Sequence, residues 1–146
     1  MKFSENTILF LLRISLGWLF FYAGITKILN PNWTAAGYLN GAKTFPGFFH
    51  WLASADILPI VNFLNEWGLT VIGVSLILGL FVRASAVAGA ALMMLYYLPI
   101  LRLPYVGDHS LLIDEHVIYF FVLLYLGMKR AGRVLGLDGK IQSTLG

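Results

Sequence analysis

Arg13, Lys27, Glu66, Asp114, Glu115 and His116 lie within or at the ends of segments otherwise apolar enough to cross a bilayer. A charge near the bilayer centre costs about 2.5 to 3.5 kcal/mol on insertion scales, so such groups turn toward a bundle interior and mark redox, proton or substrate sites. Glu66 is a carboxylate that desolvation would hold in its protonated form, able to exchange a proton with a bound ligand. His116, as a neutral imidazole, can bond a quinone carbonyl, relay a proton or ligate haem. A plainer reading stands beside each. Glu66 paired with Lys27 or Arg13 is a structural ion pair, and His116 is a hydrogen-bonded packing residue. Asp114 and Glu115 at a helix N-terminus complement the macrodipole without further function.

The elements that must position these groups are membrane helices. The 146 residues are 59% hydrophobic, 15% aromatic and only 12% charged, with a mean hydropathy of +0.80, well outside the range of a soluble domain. Four stretches reach the length of about 20 residues that a crossing needs: residues 8–29, 58–81, 84–101 and 111–128. The first holds Arg13 in its apolar run and lacks a small-x-small cleavage pattern, which predicts a retained helix rather than a signal peptide. The expected fold is therefore all-α, a single domain over 1–146 built as a four-transmembrane-helix bundle. Between the first two helices, residues 30–57 carry Trp33, Tyr38, Phe45, Phe48, Phe49 and Trp51 around Pro46-Gly47. This segment is too interrupted to span, and its rings suit the headgroup layer, either as an anchoring belt or as a lid over a lipophilic entrance. Pro99 and Pro104 bound the end of the third helix, and Gly107-Asp108-His109-Ser110 reads as the turn that starts the fourth.

The net charge of +3 and pI near 9.3 reflect membrane orientation rather than nucleic-acid binding, because the basic residues gather at segment ends instead of forming a stripe. One side collects Lys2, Arg83, Lys129, Arg130, Arg133 and Lys140 against Glu5 and Asp138. The other has Lys27, Lys43 and Arg102 against Asp56, Glu66, Asp108, Asp114 and Glu115. The positive-inside rule then places both termini in the cytoplasm of a multi-pass cell-membrane protein. The absence of cysteine removes disulfides, thiolate metal sites and iron–sulfur ligation, so redox chemistry needs a bound cofactor, a quinone or a partner subunit.

Arg13, Gly17, Phe20, Gly24 and Lys27 recur every three or four residues and share one stripe of the first helix, where the glycines admit a close neighbour. Small residues four apart from Ala84 to Ala91 give the third helix a similar surface. On the second helix Asn62, Glu66, Thr70 and Gly73 form a polar face expected to point inward. By helical rise, Lys27, Glu66 and His116 fall in the outer third of the membrane, while Arg13 enters from the opposite surface. Haem held by two histidines ranks below quinone, since His50 and His109 are loop candidates. A metal ranks lower still, because the carboxylates near His109 and His116 point to several faces.

Residues 13–27 (RISLGWLFFYAGITK), 65–83 (NEWGLTVIGVSLILGLFVR) and 132–138 (GRVLGLD) make the chain resemble the DoxX/DoxD family of four-helix membrane proteins over nearly its whole length. Asp114-Glu115-His116 and the aromatic loop are similar to the DoxD branch. That resemblance implies a membrane subunit of thiosulfate:quinone oxidoreductase, which oxidises thiosulfate to tetrathionate and passes electrons to quinone, with a DoxA-like partner as a separate chain. Members of the family also carry quinol oxidase subunit labels or serve as assembly factors. On this expectation Glu66 and His116 handle the protons and carbonyl bonds of a quinone headgroup, Tyr96 and Tyr97 wall its site, and Asp114 borders it. Lys27 and Arg102 attract an anion such as thiosulfate. Arg13 and Arg83 are structural or tune their neighbours, and the subunit assembles as an oligomer. Two other classes remain open: a non-catalytic scaffold or assembly subunit of a respiratory complex, and a small-solute transporter, for which four helices are few.

Overall fold

A computed structural model of the chain describes residues 4–107 and 110–145, so Asp108 and His109 lie outside the described residues. The chain is predominantly helical. Helix α1 is Glu5–Ile28, α2 Ala36–Asn40, α3 Pro46–Leu52, α4 Leu58–Leu78, α5 Val82–Ile100, α6 Glu115–Met128 and α7 Leu137–Leu145. Helices α1, α4 and α5 are long and apolar enough to cross a membrane. Helix α6 is apolar after Glu115 and His116 and has 14 residues.

The expected fourth helix begins later than its apolar run. Ser110–Leu111 is instead the third strand of a small antiparallel meander, β1 (Leu101–Arg102), β2 (Tyr105–Val106) and β3 (Ser110–Leu111), in which Leu101 faces Val106 and Val106 faces Ser110. Gly107, at φ +62°, makes the turn after β2. Helix α6 can start only at Glu115, because the Asp114 carboxylate accepts the free N–H groups of His116 and Val117 at 3.1 and 3.3 Å.

Helix α1 packs chiefly on α4, and α5 on α6, with far less contact between α1 and α6. The glycine stripe explains the first pairing. A Cβ on Gly17 would stand 3.0 Å from Ile77, and one on Gly73 would overlap the backbone of Phe21. Lipid tails are as apolar as the side chains, so close backbone approach is what holds such helices together. Gly73→Ala is expected to push α1 and α4 apart and lower stability by about 1–3 kcal/mol, read as a lower midpoint in detergent unfolding; an unchanged midpoint would show that the contact is dispensable. Helix α5 meets α6 through Gly89, whose added Cβ would lie 3.1 Å from Leu123, and through Ala86 opposite Gly127. The core between them is Leu16, Phe20, Leu69, Leu76, Met93, Leu123 and Leu126.

Residues 30–57 form two short helices, α2 and α3. Phe49, Leu39, Ala35 and Ala42 make a second apolar cluster that packs on Val61 and Leu98, while Phe45, Phe48 and Trp51 stay exposed. The Asn62 side chain fastens the segment, accepting from Ala35 N–H at 3.0 Å and donating to Thr34 Oγ1 at 3.2 Å.

The ends of α1, α4, α5 and α6 on the side of the termini are closed by the segment after α6. Arg13 is fully buried, and its Nη2 donates to the Val134 and Leu135 carbonyls at 3.2 and 3.1 Å. Asp138 accepts from Phe81 N–H at 2.8 Å and Val82 N–H at 3.1 Å, and so caps α5 from 56 residues away. Glycine is required where these groups pass: Gly79, at φ +68°, and Gly136 both lie against the Arg13 guanidinium, and Gly132 lies against the Asp138 carboxylate. Lys129 Nζ donates to Glu5 Oε1 at 2.6 Å across the same end, which raises the lysine pKa above its ordinary value.

Candidate functional site

At the opposite end, α1, α4, α5 and α6 surround a polar cavity of about 340 Å³. Lys27 reaches it from the last turn of α1, Asn65 from α4, Tyr96 from α5 and His116 from the first turn of α6; Trp33 and Tyr38 close it from the loop. The polar groups form a chain. Lys27 Nζ donates to the Tyr96 hydroxyl at 3.3 Å, and that hydroxyl donates to Asn65 Oδ1 at 2.7 Å. The Lys27 ammonium also lies 5.0 Å from the centre of the Trp33 ring and 5.5 Å from that of Tyr96, so two π faces help to replace its lost hydration. An ammonium has three donors, and Tyr96 takes one.

His116 is oriented by its neighbour. Its Nδ1 meets Asp114 Oδ2 at 2.6 Å, and its ring stands edge-on to Tyr96 with centres 5.8 Å apart. A proton on Nδ1 shared with the carboxylate leaves Nε2 to accept from or donate to a ligand, the arrangement by which a second group fixes an imidazole for proton work. Asp114 therefore does two things: Oδ1 starts the helix and Oδ2 fixes the histidine.

A second cavity of about 240 Å³ adjoins the first and shares Ala35, Tyr38, Asn65 and Tyr96 with it. Its other walls are almost wholly apolar, with Phe48, Phe49 and Leu52 of α3 facing Leu92 and Leu95 of α5. Tyr38 stands on the boundary and donates to the Tyr96 carbonyl. Burial, with Tyr96 and Asp114 nearby, pushes the Tyr38 phenol well above its ordinary pKa and keeps it a donor. A third cavity, of about 320 Å³, touches the first at Tyr38 and Ile100 and carries Lys43 and Arg102.

Of the residues singled out from the sequence, Lys27, Tyr96 and His116 meet in the polar cavity, with Asp114 behind His116. Glu66 is half-buried and near enough to Lys27 to feel its charge, but among the described residues it forms no ion pair, and Asn65 faces the cavity in its place. Tyr97 is not on this wall; its hydroxyl donates to the Leu112 carbonyl at 2.6 Å and anchors the approach to α6. Arg102 is exposed and pairs in space with Lys43 rather than with Lys27. Arg13 faces the tail instead of Glu66, and Arg83 is exposed at the terminal end. His50 Nε2 lies 3.1 Å from the Asn40 carbonyl and is exposed.

Asn65, Trp33 and Tyr38 were not assigned to the site from the sequence. The signal for Asn65 is only that it is polar and precedes Glu66 in a largely apolar helix; it lies outside the face formed by Asn62, Glu66, Thr70 and Gly73. Trp33 and Tyr38 were visible only as part of the aromatic loop, whose fold over α4 and α5 brings them to Lys27.

No curated protein and no solved structure matches the chain. The profile of the DoxX family matches residues 8–100, from α1 to the end of α5. That span contains Lys27, Trp33, Tyr38, Asn65 and Tyr96, all of the polar cavity's principal groups except His116. With well over half its length matched, the chain belongs to the DoxX family of membrane proteins.

Proposed function

We propose that this chain is the membrane subunit of a quinone-linked oxidoreductase of the thiosulfate:quinone type. The observation that carries the reading is the pair of adjoining cavities, one polar and one apolar, divided by Tyr38 and Tyr96. A quinone has the same division. Its headgroup fits between Lys27 and His116, with one carbonyl accepting from the Lys27 ammonium and the other facing His116 Nε2. Its isoprenoid chain lies beneath Phe48 and Phe49. Four crossings, with α6 as a short fourth, both termini in the cytoplasm and α2–α3 at the outer interface, agree with the distribution of basic residues.

The reaction balances without a metal in this chain. Two thiosulfate ions release two electrons as a sulfur–sulfur bond joins them into tetrathionate. The quinone takes those electrons and two protons to become quinol. His116 passes one proton to the quinone and Glu66, one residue beyond Asn65 on α4, passes the other. Lys43 and Arg102 offer the anion a docking place next to the polar cavity, with a DoxA-like chain as the partner subunit.

One observation favours a second reading, a non-catalytic scaffold or assembly subunit. Lys27, Tyr96 and Asn65 are linked in one hydrogen-bonded chain, as a structural polar network would be. Purification with the native partner, followed by lipid extraction and an assay of thiosulfate-dependent quinone reduction, separates the two. Quinone retained by this chain, with a rate that falls in Glu66→Gln, supports the enzyme. A chain that holds no quinone while its partner carries all the cofactors leaves the scaffold.

A further inference from the structure

The end of the molecule that bears the termini carries a second site, remote from the polar cavity. Arg83 at the start of α5, Arg130 just past α6 and Arg133 in the turn that follows line one cavity of about 270 Å³. The single carboxylate there is Asp138, and its two oxygens already serve the N–H groups of Phe81 and Val82. Among the described residues none of the three arginines has an ion-pair partner within 4.0 Å, so three guanidinium charges face one committed carboxylate.

Arg130 occupies its place against a backbone preference. It has φ 50° and ψ 46°, in the left-handed region, directly after the last residues of α6. Glycine is the ordinary occupant of that position, and a side chain there is strained. The chain sets a guanidinium at the mouth of the cavity instead.

The basic cavity continues into an apolar groove. Arg83 and Arg130 also border a space of about 440 Å³ between α5 and α6, floored by Ala86 and Gly127 and walled by Val87, Leu124 and Met128. The groove exists because Ala86 and Gly127 are small: an added Cβ on Gly127 would stand 3.2 Å from that of Ala86. Val87 and Met128 are 60% and 82% exposed, so the groove opens sideways toward lipid.

We infer that this is a binding site for one anionic phospholipid, with its phosphodiester among Arg83, Arg130 and Arg133 and the first carbons of an acyl chain along the groove between α5 and α6. Guanidinium forks match phosphate oxygens in geometry as well as charge. Basic pockets between membrane helices at headgroup level hold anionic lipids in this way. The site needs nothing from the quinone reading, since it lies at the other end of the bundle.

The test uses the full chain in nanodiscs of phosphatidylcholine containing a minor share of phosphatidylglycerol with the same acyl chains. After transfer to detergent, native mass spectrometry counts the lipid retained. Phosphatidylglycerol is expected to stay in clear preference to phosphatidylcholine. Arg83→Gln and Arg130→Gln should each cut that retention about fivefold. Val87→Trp, which fills the groove but keeps every arginine, should also lower it. Lys129→Gln removes an equal charge from the same end, where the ammonium is paired with Glu5, and should leave retention unchanged. The altered side chains Arg83, Arg130 and Val87 are exposed, and a melting curve confirms that each variant folds. Equal retention of the two lipids, or a Lys129→Gln effect as large as that of Arg83→Gln, would overturn the site. Displacement of the lipid by an equal concentration of inorganic phosphate would reduce it to a simple anion site and remove the lipid from the inference.

Discussion

His116→Phe is expected, on the proposed function, to slow thiosulfate-dependent quinone reduction by about a hundredfold or more, the range in which a positioned general acid contributes. The ring would still fill its place against Tyr96, but nothing on it could give up a proton. Asp114→Asn is the informative companion. Asparagine still caps α6 through its side-chain oxygen, so the helix keeps its start, while the charge that orients His116 is gone. Its rate should therefore fall less than that of His116→Phe, and the pH dependence of the rate should move. Steady-state assays of the complex with each variant decide the matter. A His116→Phe enzyme running at the original rate would remove this residue from the chemistry and return it to packing.

The largest structural effect is expected from Asp138→Ala. The carboxylate caps α5 through the Phe81 and Val82 N–H groups and holds in place the tail whose Val134 and Leu135 carbonyls receive Arg13. Its loss leaves the Phe81 and Val82 N–H groups without their acceptor and loosens the tail that supplies carbonyls to the fully buried Arg13. Removing a charged acceptor from backbone N–H groups costs about 1.5–3 kcal/mol per bond lost. The predicted readout is a large fall in the detergent unfolding midpoint, together with rapid trypsin cleavage after Arg130 and Arg133. Asp138→Asn keeps an acceptor and should fall between the two. If Asp138→Ala melts with the original protein, the tail does not clasp the bundle. Combining it with Arg13→Met should be less damaging than the separate losses summed, because the second change removes the charge that the first had stranded.

These two predictions rest on features that were unequally legible in the sequence. Helices α1, α4 and α5 follow from their apolar runs, and the burial of Arg13 with Gly17, Phe20 and Gly24 follows from their spacing on one stripe. The site was legible to within a helical phase. Glu66 and Asn65 are one residue apart, about 100° around the axis, and a polar face of three or four residues does not say which of them looks inward. The strands escaped notice because two-residue strands carry no alternation, and residues 111–113 read as helix because apolarity alone does not mark a start. Asp114 does, through its cap. The grouping of Arg102 with Lys43 depends on where the aromatic loop lands, and the service that Asp138 gives to Phe81 spans 57 residues; neither distance leaves a local pattern.

The clasp at the terminal end also bears on the order in which the chain is made. Helices α1 and α4 can close on each other as soon as α4 has entered the membrane, since their glycines need only each other. Helix α5 cannot have its first N–H groups satisfied until residue 138 has left the ribosome, and Arg13, inserted at the very beginning, waits equally long for the carbonyls of Val134 and Leu135. A charge that enters with α1 is thus completed only by the segment after α6, and a chain stalled before that segment would display an unfinished helix end and an exposed arginine to the cell's quality control.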